Sequence, residues 1–565
     1  MKPNIVRLIA VAAGLFVVPL IAGASSAGPV PLATAVTFTV NTTADTTTCS
    51  TNCSLRGAII AANAASGDNL IILPSGIYSL TLNGRNEDAS ATGDLDITSN
   101  LTISGTNAAT TIIDGKQIDR VFHIITGTVN VTLVNVTIRS GYAPGLAGGI
   151  WVGASTRLTL VNCIVTSNSG QNGDYGSGGG IYNDGTLTLV NTTVISNSVY
   201  SSGYTGGAAL GGGIYNNGNL ALIDSLVGNN AAGFGGGIYN KGTLDLTHST
   251  VNGNSAMSSA FFLTGYGGGI ANDGGTTALH NSSVISNTTL GSGGGICNKA
   301  GALSLSYTTV STNTAGSFGG SGGGIESSGG TLTLYNSIVS GNSLTGTYGG
   351  GGISTSGVAN LINSTISRNR APSAAGISTG GNTNLTNCTI SDNVADNYAG
   401  GISAAGKTNL TNCTVSGNVA AGTSGYGTGG VYGGIGLTLT NTIIAGNSDT
   451  VGDPDCTLYQ PISLGHNLIG NGNGCNLAPA PGDQVGTPAS PIDPKLGPLQ
   501  NNGGPTFTRA LLAGSPAIDA GDPARCPGFD QRGCMRQNNC DIGAYEFGGI
   551  PFVPTSFIYL PVVIR

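Results

Sequence analysis

Between Gly148 and Asn447 short alternations of apolar and polar residues return on a regular beat. In Gly179-Gly180-Ile181-Tyr182-Asn183-Asp184-Gly185-Thr186-Leu187-Thr188-Leu189-Val190-Asn191-Thr192-Thr193-Val194-Ile195-Ser196-Asn197, stretches of period two are divided by Gly, Asn and Asp, the pattern of short strands joined by tight turns. The apolar residue of the Gly-Gly-Ile opening returns as Ile150, Ile181, Ile214, Ile238, Ile270, Ile296, Ile325, Ile353, Ile377, Ile402 and Val431, a mean spacing of about 28 residues that marks a stacked array. The pattern predicts an all-β chain wound as a single-stranded right-handed parallel β-helix. Ile181, Leu187, Leu189 and Val194 are its expected interior, and no coil is expected to be stable without its neighbours.

Aligning the coils turns the repeat into columns. A heptapeptide such as Asn191–Asn197 closes each coil, and its last residue is Asn168, Asn197, Asn230, Asn254, Asn287, Asn313, Asn342, Asn369, Asn393, Asn418 and Asn447. Equivalent residues in a parallel stack lie about 4.8 Å apart, so this column predicts a ladder of bonded amides. Asparagine also tolerates the left-handed backbone of a tight corner. The second heptapeptide position holds only Ser, Thr or Cys, with Cys163, Cys388 and Cys413 among them; cysteine there reads as a small hydrophobe, and a Cys388–Cys413 disulfide is the alternative. Trp151, Tyr182, Tyr215 and Tyr239 occupy the outward position after the first apolar residue in four consecutive coils. They form a candidate ligand-binding stripe, with ring stacking that merely stabilises the sheet as the alternative. The loops of variable length before each Gly-Gly add Tyr175, Tyr200, Tyr204, Phe234, Phe261, Phe262, Tyr266, Phe318, Tyr348, Tyr398 and Tyr426.

Four regions are expected outside the regular coils. Residues 1–35 read as a secretory signal peptide and leader, with Lys2 and Arg7 ahead of an apolar run and small-residue cleavage sites after it. Residues 36–130 form an N-terminal cap and irregular first coils. In them Val36–Val40 alternates like a strand, and a helix capped by Ser54 covers the open end of the stack. Regular coils span 131–447, a C-terminal cap 448–547 and a tail 548–565. The segment Cys49-Ser50-Thr51-Asn52-Cys53-Ser54-Leu55-Arg56-Gly57-Ala58 resembles the CSLREA segment of secreted bacterial β-helix proteins, with Gly57 where that motif has glutamate. Asn501-Asn502-Gly503-Gly504-Pro505, Gly514-Ser515-Pro516-Ala517-Ile518-Asp519 and Asp541-Ile542-Gly543-Ala544-Tyr545-Glu546 resemble the choice-of-anchor Q region of such proteins. The resemblance extends to polymorphic outer membrane protein-like repeats. It implies a pectin-lyase-like solenoid, export and display at the cell surface, with no activity attached.

Composition narrows the function classes. Charged residues are 8% of the 565 and the net charge is −7, with 96 glycines but no Gly-X-Y period. There is no basic stripe for a phosphate backbone, so nucleic acid is not an expected partner. No later segment is long and apolar enough to span a bilayer. Eleven cysteines suit an oxidising compartment; the expected pairs are Cys49 with Cys53, Cys456 with Cys475, and Cys526 with Cys540 or Cys534, leaving Cys297 unassigned. Polysaccharide-degrading β-helices need clustered carboxylates or a placed base, whereas Asp174, Asp184, Asp224, Asp245, Asp273, Glu326, Asp392 and Asp396 are scattered through the coils. No catalytic residue and no cofactor are expected. Asp519, Asp530 and Asp541 with Asp522, Glu546 and Arg532 read as a buried network closing the last coil, or as a calcium site. The leading expectation is a secreted, surface-associated structural or adhesive protein whose partner is a surface glycan or an envelope protein. A polysaccharide-active lyase or hydrolase and a passive envelope component are the alternatives.

Overall fold

The computed structural model describes residues 35–551, apart from Asn86, Thr126, 173–175, 202–208, 258–264, 317–318, Tyr348, 423–426, Val451, Asp453 and Asn538. The expected signal peptide, most of the tail, and the loop residues Tyr175, Tyr204, Phe261, Phe262, Phe318, Tyr348 and Tyr426 lie outside the described residues. The chain winds as a parallel β-helix. Ile181–Asn183 and Thr186–Val190 belong to a 28-stranded sheet, Thr193–Ile195 to a 16-stranded sheet and Ser198–Ser201 to an 11-stranded one. Registers hold from coil to coil, with Leu187 opposite Leu158 on one side and Leu220 on the other. Crossover connections between parallel strands are right-handed almost without exception. At one strand per coil in the 16-stranded sheet, the stack is about 70 Å long.

Alternation decides what is inside. Ile181, Leu187, Leu189 and Val194 have no exposed surface, and their equivalents form one continuous core along the helix. The polar partners at the turns are satisfied sideways, between coils. Asn197 shows the rule: its N–H and its Nδ2 both donate to Asn230 Oδ1, at 2.9 and 3.0 Å, and Nδ2 also donates to the carbonyl of Val165 at 2.9 Å. The same bonds run from Asn168 to Asn447, where the Asp455 carboxylate takes the place of a further asparagine. The ladder asparagines are not the left-handed residues. Positive φ falls on the first and sixth heptapeptide positions, as at Asn191 (46°) and Ser196 (56°). Asparagine is needed in the ladder for its amide, which both donates and accepts along the axis.

In the Ser/Thr/Cys column the cysteines are buried in the core, the Cys388–Cys413 disulfide is not formed, and hydrogen bonding is added to small size. Thr192 N–H donates to Ser225 Oγ at 3.1 Å, and Ser225 N–H to Ser249 Oγ at 3.1 Å. Each hydroxyl in turn donates to the carbonyl two residues earlier, as Thr192 does to Val190 at 3.0 Å. Cys163, Cys388 and Cys413 imitate this with Sγ 3.3 to 3.4 Å from the equivalent carbonyls, and all three are free thiols. The column therefore selects a short side chain that can donate. A second amide ladder, not anticipated from the sequence, runs through Asn183, Asn216, Asn240, Asn272 and Asn298 at 2.6 to 2.9 Å and ends on Ser327.

At the amino end, Thr37–Thr39 pairs in parallel with Asn69–Leu73, and helix Leu55–Ala64 packs on that strand and on Leu95–Ile97. Ser54 Oγ accepts from Gly57 N–H at 3.0 Å. Gly57 leaves room for the backbone of Thr48, whose carbonyl oxygen would lie 2.0 Å from a Cβ there. Arg56 is buried and pairs with Asp45 at 2.6 Å while donating to the carbonyls of Ser90, Gly93 and Asp94. Asp45 supplies the carboxylate, from outside the helix. Disulfides join Cys49 to Cys53, Cys456 to Cys475 and Cys526 to Cys540, so Cys534 and Cys297 are free.

The carboxyl-terminal region packs on the last coil, where His466 Nδ1 lies 2.8 Å from the Ala520 carbonyl, and also runs back beyond it. Residues 502–547 fold back along the flank of the helix, over the heptapeptide turns of four successive coils. Thr506 Oγ1 donates to Asn363 O at 3.0 Å, Arg536 Nη2 to Asn387 Oδ1 at 3.1 Å and Asn412 Nδ2 to Asp541 O at 3.3 Å, while Asp522 N–H donates to Asn441 Oδ1 at 2.8 Å. Arg532 pairs with Asp530 at 2.7 Å, and Arg536, absent from the expected network, pairs with Glu546 at 3.1 Å.

Replacing Asn342 by alanine removes the acceptor of the Asn313 N–H and Nδ2 groups and the donor to Val310 O, all buried. The expected loss is about 3 kcal/mol or more, read as a lower denaturant midpoint. Asp541 supplies a pH test. Burial pushes its carboxyl up to about 6, against the backbone N–H groups of Phe547 and Asp519 that favour the charged form. The folded chain then keeps a proton that the unfolded chain releases between about pH 4 and 6, so this group's contribution to stability is lost as pH rises through that window. Melting of Asp541→Asn across pH 4 to 7 is expected to lack the corresponding decline.

Candidate functional site

The central residue of each three-residue strand in the large sheet points away from the core, and register stacks these residues into one column. It begins Asp96, His123, Trp151, Tyr182, Tyr215, Tyr239 and continues through Ala271, Cys297 and Glu326. The structure therefore brings the four predicted aromatic residues together and joins them to an acid and a histidine that lie in the irregular coils.

The rings of the aromatic stripe lie against one another from coil to coil. Tyr182 and Tyr215 stack at 4.8 Å with planes 5° apart, and Tyr215 and Tyr239 at 5.6 Å with planes 6° apart. Trp151 lies face to face with His123 at 4.6 Å and meets the edge of Tyr182. Each face is thus used by the coil above or below. Phe234 and Tyr266 close over the far end, where Tyr239 is 3% and Tyr215 8% exposed. The Tyr239 hydroxyl donates to Asp273, and burial followed by that bond pushes its ionisation far up. Lys299 Nζ sits 3.9 Å above the Tyr266 ring.

Beside Tyr182 a shallow groove of about 300 Å³ is lined by Asn130, Thr156, Arg157, Asp184, Thr186 and Asn219, among others. Arg157 and Asp184 are its only ionisable residues, and one carboxylate with one guanidinium makes no acid–base pair.

At the amino end of the column the carboxylates gather. Asp94, Asp96 and Asp119 are buried, and Arg120 Nε lies 3.0 Å from Asp94 Oδ2 and 3.9 Å from Asp119 Oδ1. Burial outweighs Arg120 at Asp94, and the neighbouring Asp96 and Asp119 add to it, so its carboxyl is pushed up to about 8. Asp119 is pushed up as well, chiefly by burial. His123 Nδ1 is 3.3 Å from Asp96 Oδ1 and 3.6 Å from Asp88 Oδ1. Asp88, Asp96 and His123 are the one set of acids, histidines and cysteines placed to share a metal ion among the described residues.

The calcium candidates Asp519, Asp530 and Asp541 do not converge in this way. Asp541 Oδ1 accepts the Asp519 N–H at 2.8 Å and its Oδ2 accepts the Phe547 N–H. Asp530 is occupied by Arg532 and by the N–H groups of Cys534 and Glu546. Their lone pairs bind the flank together. The amino-terminal cluster has a sequence signal, the Asp-x-Asp of Gly93-Asp94-Leu95-Asp96-Ile97, but His123 joins it only through register.

No family model matches the chain, and no curated protein matches it. Among solved structures it is similar to pectate lyase Pel9A, at 14% identity over 91% of this chain and 97% of that one, with a TM-score of 0.23. The architecture rests on the strand pairings above, and no activity or residue is carried over from that protein.

Replacing Tyr215 by alanine removes a buried ring and its stacking contacts with Tyr182 and Tyr239. The expected cost is about 3 kcal/mol, measured by denaturant unfolding; an unchanged midpoint contradicts the stack's structural role.

Proposed function

We propose that the protein is a secreted, surface-associated structural rod. The observation that carries this reading is how the repeat spends its chemistry. Asparagine amides, small hydroxyls and aromatic faces of the outward column are all engaged by the next coil. What remains is a long stack of low charge around a continuous core, which suits a spacer or lattice element of an envelope. Three disulfides agree with an oxidising exterior. The resemblance of the amino- and carboxyl-terminal segments to those of displayed bacterial β-helix proteins supports surface attachment. Adhesion is assigned a lesser part, through exposed aromatics such as Tyr200 and Tyr398 and not through ring faces of the stripe.

Polysaccharide cleavage is disfavoured because the groove beside Tyr182 lacks paired acids, and Asp94, Asp96 and Asp119 are enclosed in protein. A degradation screen of the full chain on neutral and acidic polysaccharides is expected to yield no new reducing ends and no unsaturated products. Cleavage that disappears in Asp184→Asn or Arg157→Gln overturns the structural reading.

A further inference from the structure

The amino-terminal end of the outward column carries chemistry that a rod does not need. Asp96 is wholly buried on strand Leu95–Ile97. One of its oxygens, Oδ2, accepts the Ser90 N–H at 2.8 Å, and Ser90 Oγ accepts the Asp96 N–H at 2.6 Å. The other, Oδ1, has no hydrogen-bond partner and faces His123 Nδ1 at 3.3 Å. An oxygen in that setting is costly unless something positive meets it. The guanidinium groups nearby do not supply this. Arg120 sits against Asp94 and Asp119, and Arg56 is taken by Asp45.

We propose that Asp88, Asp96 and His123 bind a divalent transition ion of the zinc type. Zinc holds nitrogen and carboxylate ligands at about 2.0–2.2 Å, which places ligand atoms of a tetrahedron about 3.3–3.6 Å apart. His123 Nδ1 lies 3.3 Å from Asp96 Oδ1 and 3.6 Å from Asp88 Oδ1, and the three atoms fall within 4.8 Å of one another. They can therefore close on one ion with small side-chain movements. An imidazole beside two carboxylates selects a borderline ion over calcium, which takes six to eight oxygens. Outer contacts already hold the ligands in place: Ser90 fixes Asp96, and Trp151, stacked on the ring at 4.6 Å, fixes the plane of His123. Asp88 approaches from the solvent side, its side chain 74% exposed. The fourth position is thus open to water.

The test is calorimetric titration of the untagged full-length chain with Zn²⁺ near neutral pH, with Co²⁺ absorption in the visible as a report on geometry. One ion per chain is expected, with a raised melting midpoint and a tetrahedral Co²⁺ spectrum. His123→Gln and Asp88→Asn are each expected to weaken binding at least tenfold, while His248→Gln, at another acid–histidine contact, leaves it unchanged. Asp88 is exposed, so its variant keeps the metal-free melting midpoint and separates ligand loss from misfolding. Absence of Zn²⁺ binding, or binding that survives Asp88→Asn and His123→Gln alike, overturns the proposal. Ca²⁺ binding of equal strength that is indifferent to His123→Gln overturns it also.

Discussion

The asparagine amide of each coil lies against the second glycine of the same coil's Gly-Gly-Ile, and the rest of the helix is built around that contact. A Cβ on Gly180 would stand 3.0 Å from Asn197 Cγ and 2.7 Å from the carbonyl of Gly213 in the next coil. The glycine lets the amide reach the axis of the ladder, and the amide in turn satisfies backbone groups that the turn leaves without strand partners. Neither residue can change alone. The constraint repeats at Gly213 with Asn230 and at Gly352 with Asn369, which explains why these two columns vary least while the loop between them varies in length.

A ladder of this kind needs ends. Asp455 terminates it at the carboxyl side by offering its carboxylate where an asparagine would be, and Asp483 does the same for Asn467. Both are acceptors without donors when ionised, so the chain of bonds stops there. The amino end is finished differently, by a helix held through Arg56 and by coils whose outward column turns from aromatic to acidic. The flank formed by residues 502–547 then ties four coils together along their sides, so the most regular part of the stack is also cross-braced.

Much of this was legible in the sequence because a parallel stack repeats its residue types at each level. The interior positions Ile181, Leu187, Leu189 and Val194 follow from strand parity alone, and so does the solenoid. Parity says that Tyr182 leaves the sheet. It does not say that its ring turns to lie on Tyr215, which depends on side-chain rotation and on Phe234 and Tyr266 arriving from a loop. Hydrogen bonding in the Ser/Thr/Cys column was hidden for a similar reason, since size and donor capacity select the same three residues. The flank could not be placed, because partners such as Asn441 and Asn363 lie 81 and 143 residues away from Asp522 and Thr506 and share no period with them. Asp88, Asp96 and His123 escaped attention for want of a regular spacing in the first coils.

The central claim is that ladder amides, and not the turns themselves, hold the coils in register. Hydrogen exchange resolved to single residues tests it most directly. The main-chain amides of the ladder asparagines lie outside the strands, yet each is bonded to the side chain of the next coil, as Asn197 is to Asn230 at 2.9 Å. The account predicts that the amides of Asn197 through Asn393 exchange as slowly as those of Leu187 and Leu189 within strands. Exchange at the pace of exposed turn residues such as Ile435 would contradict it.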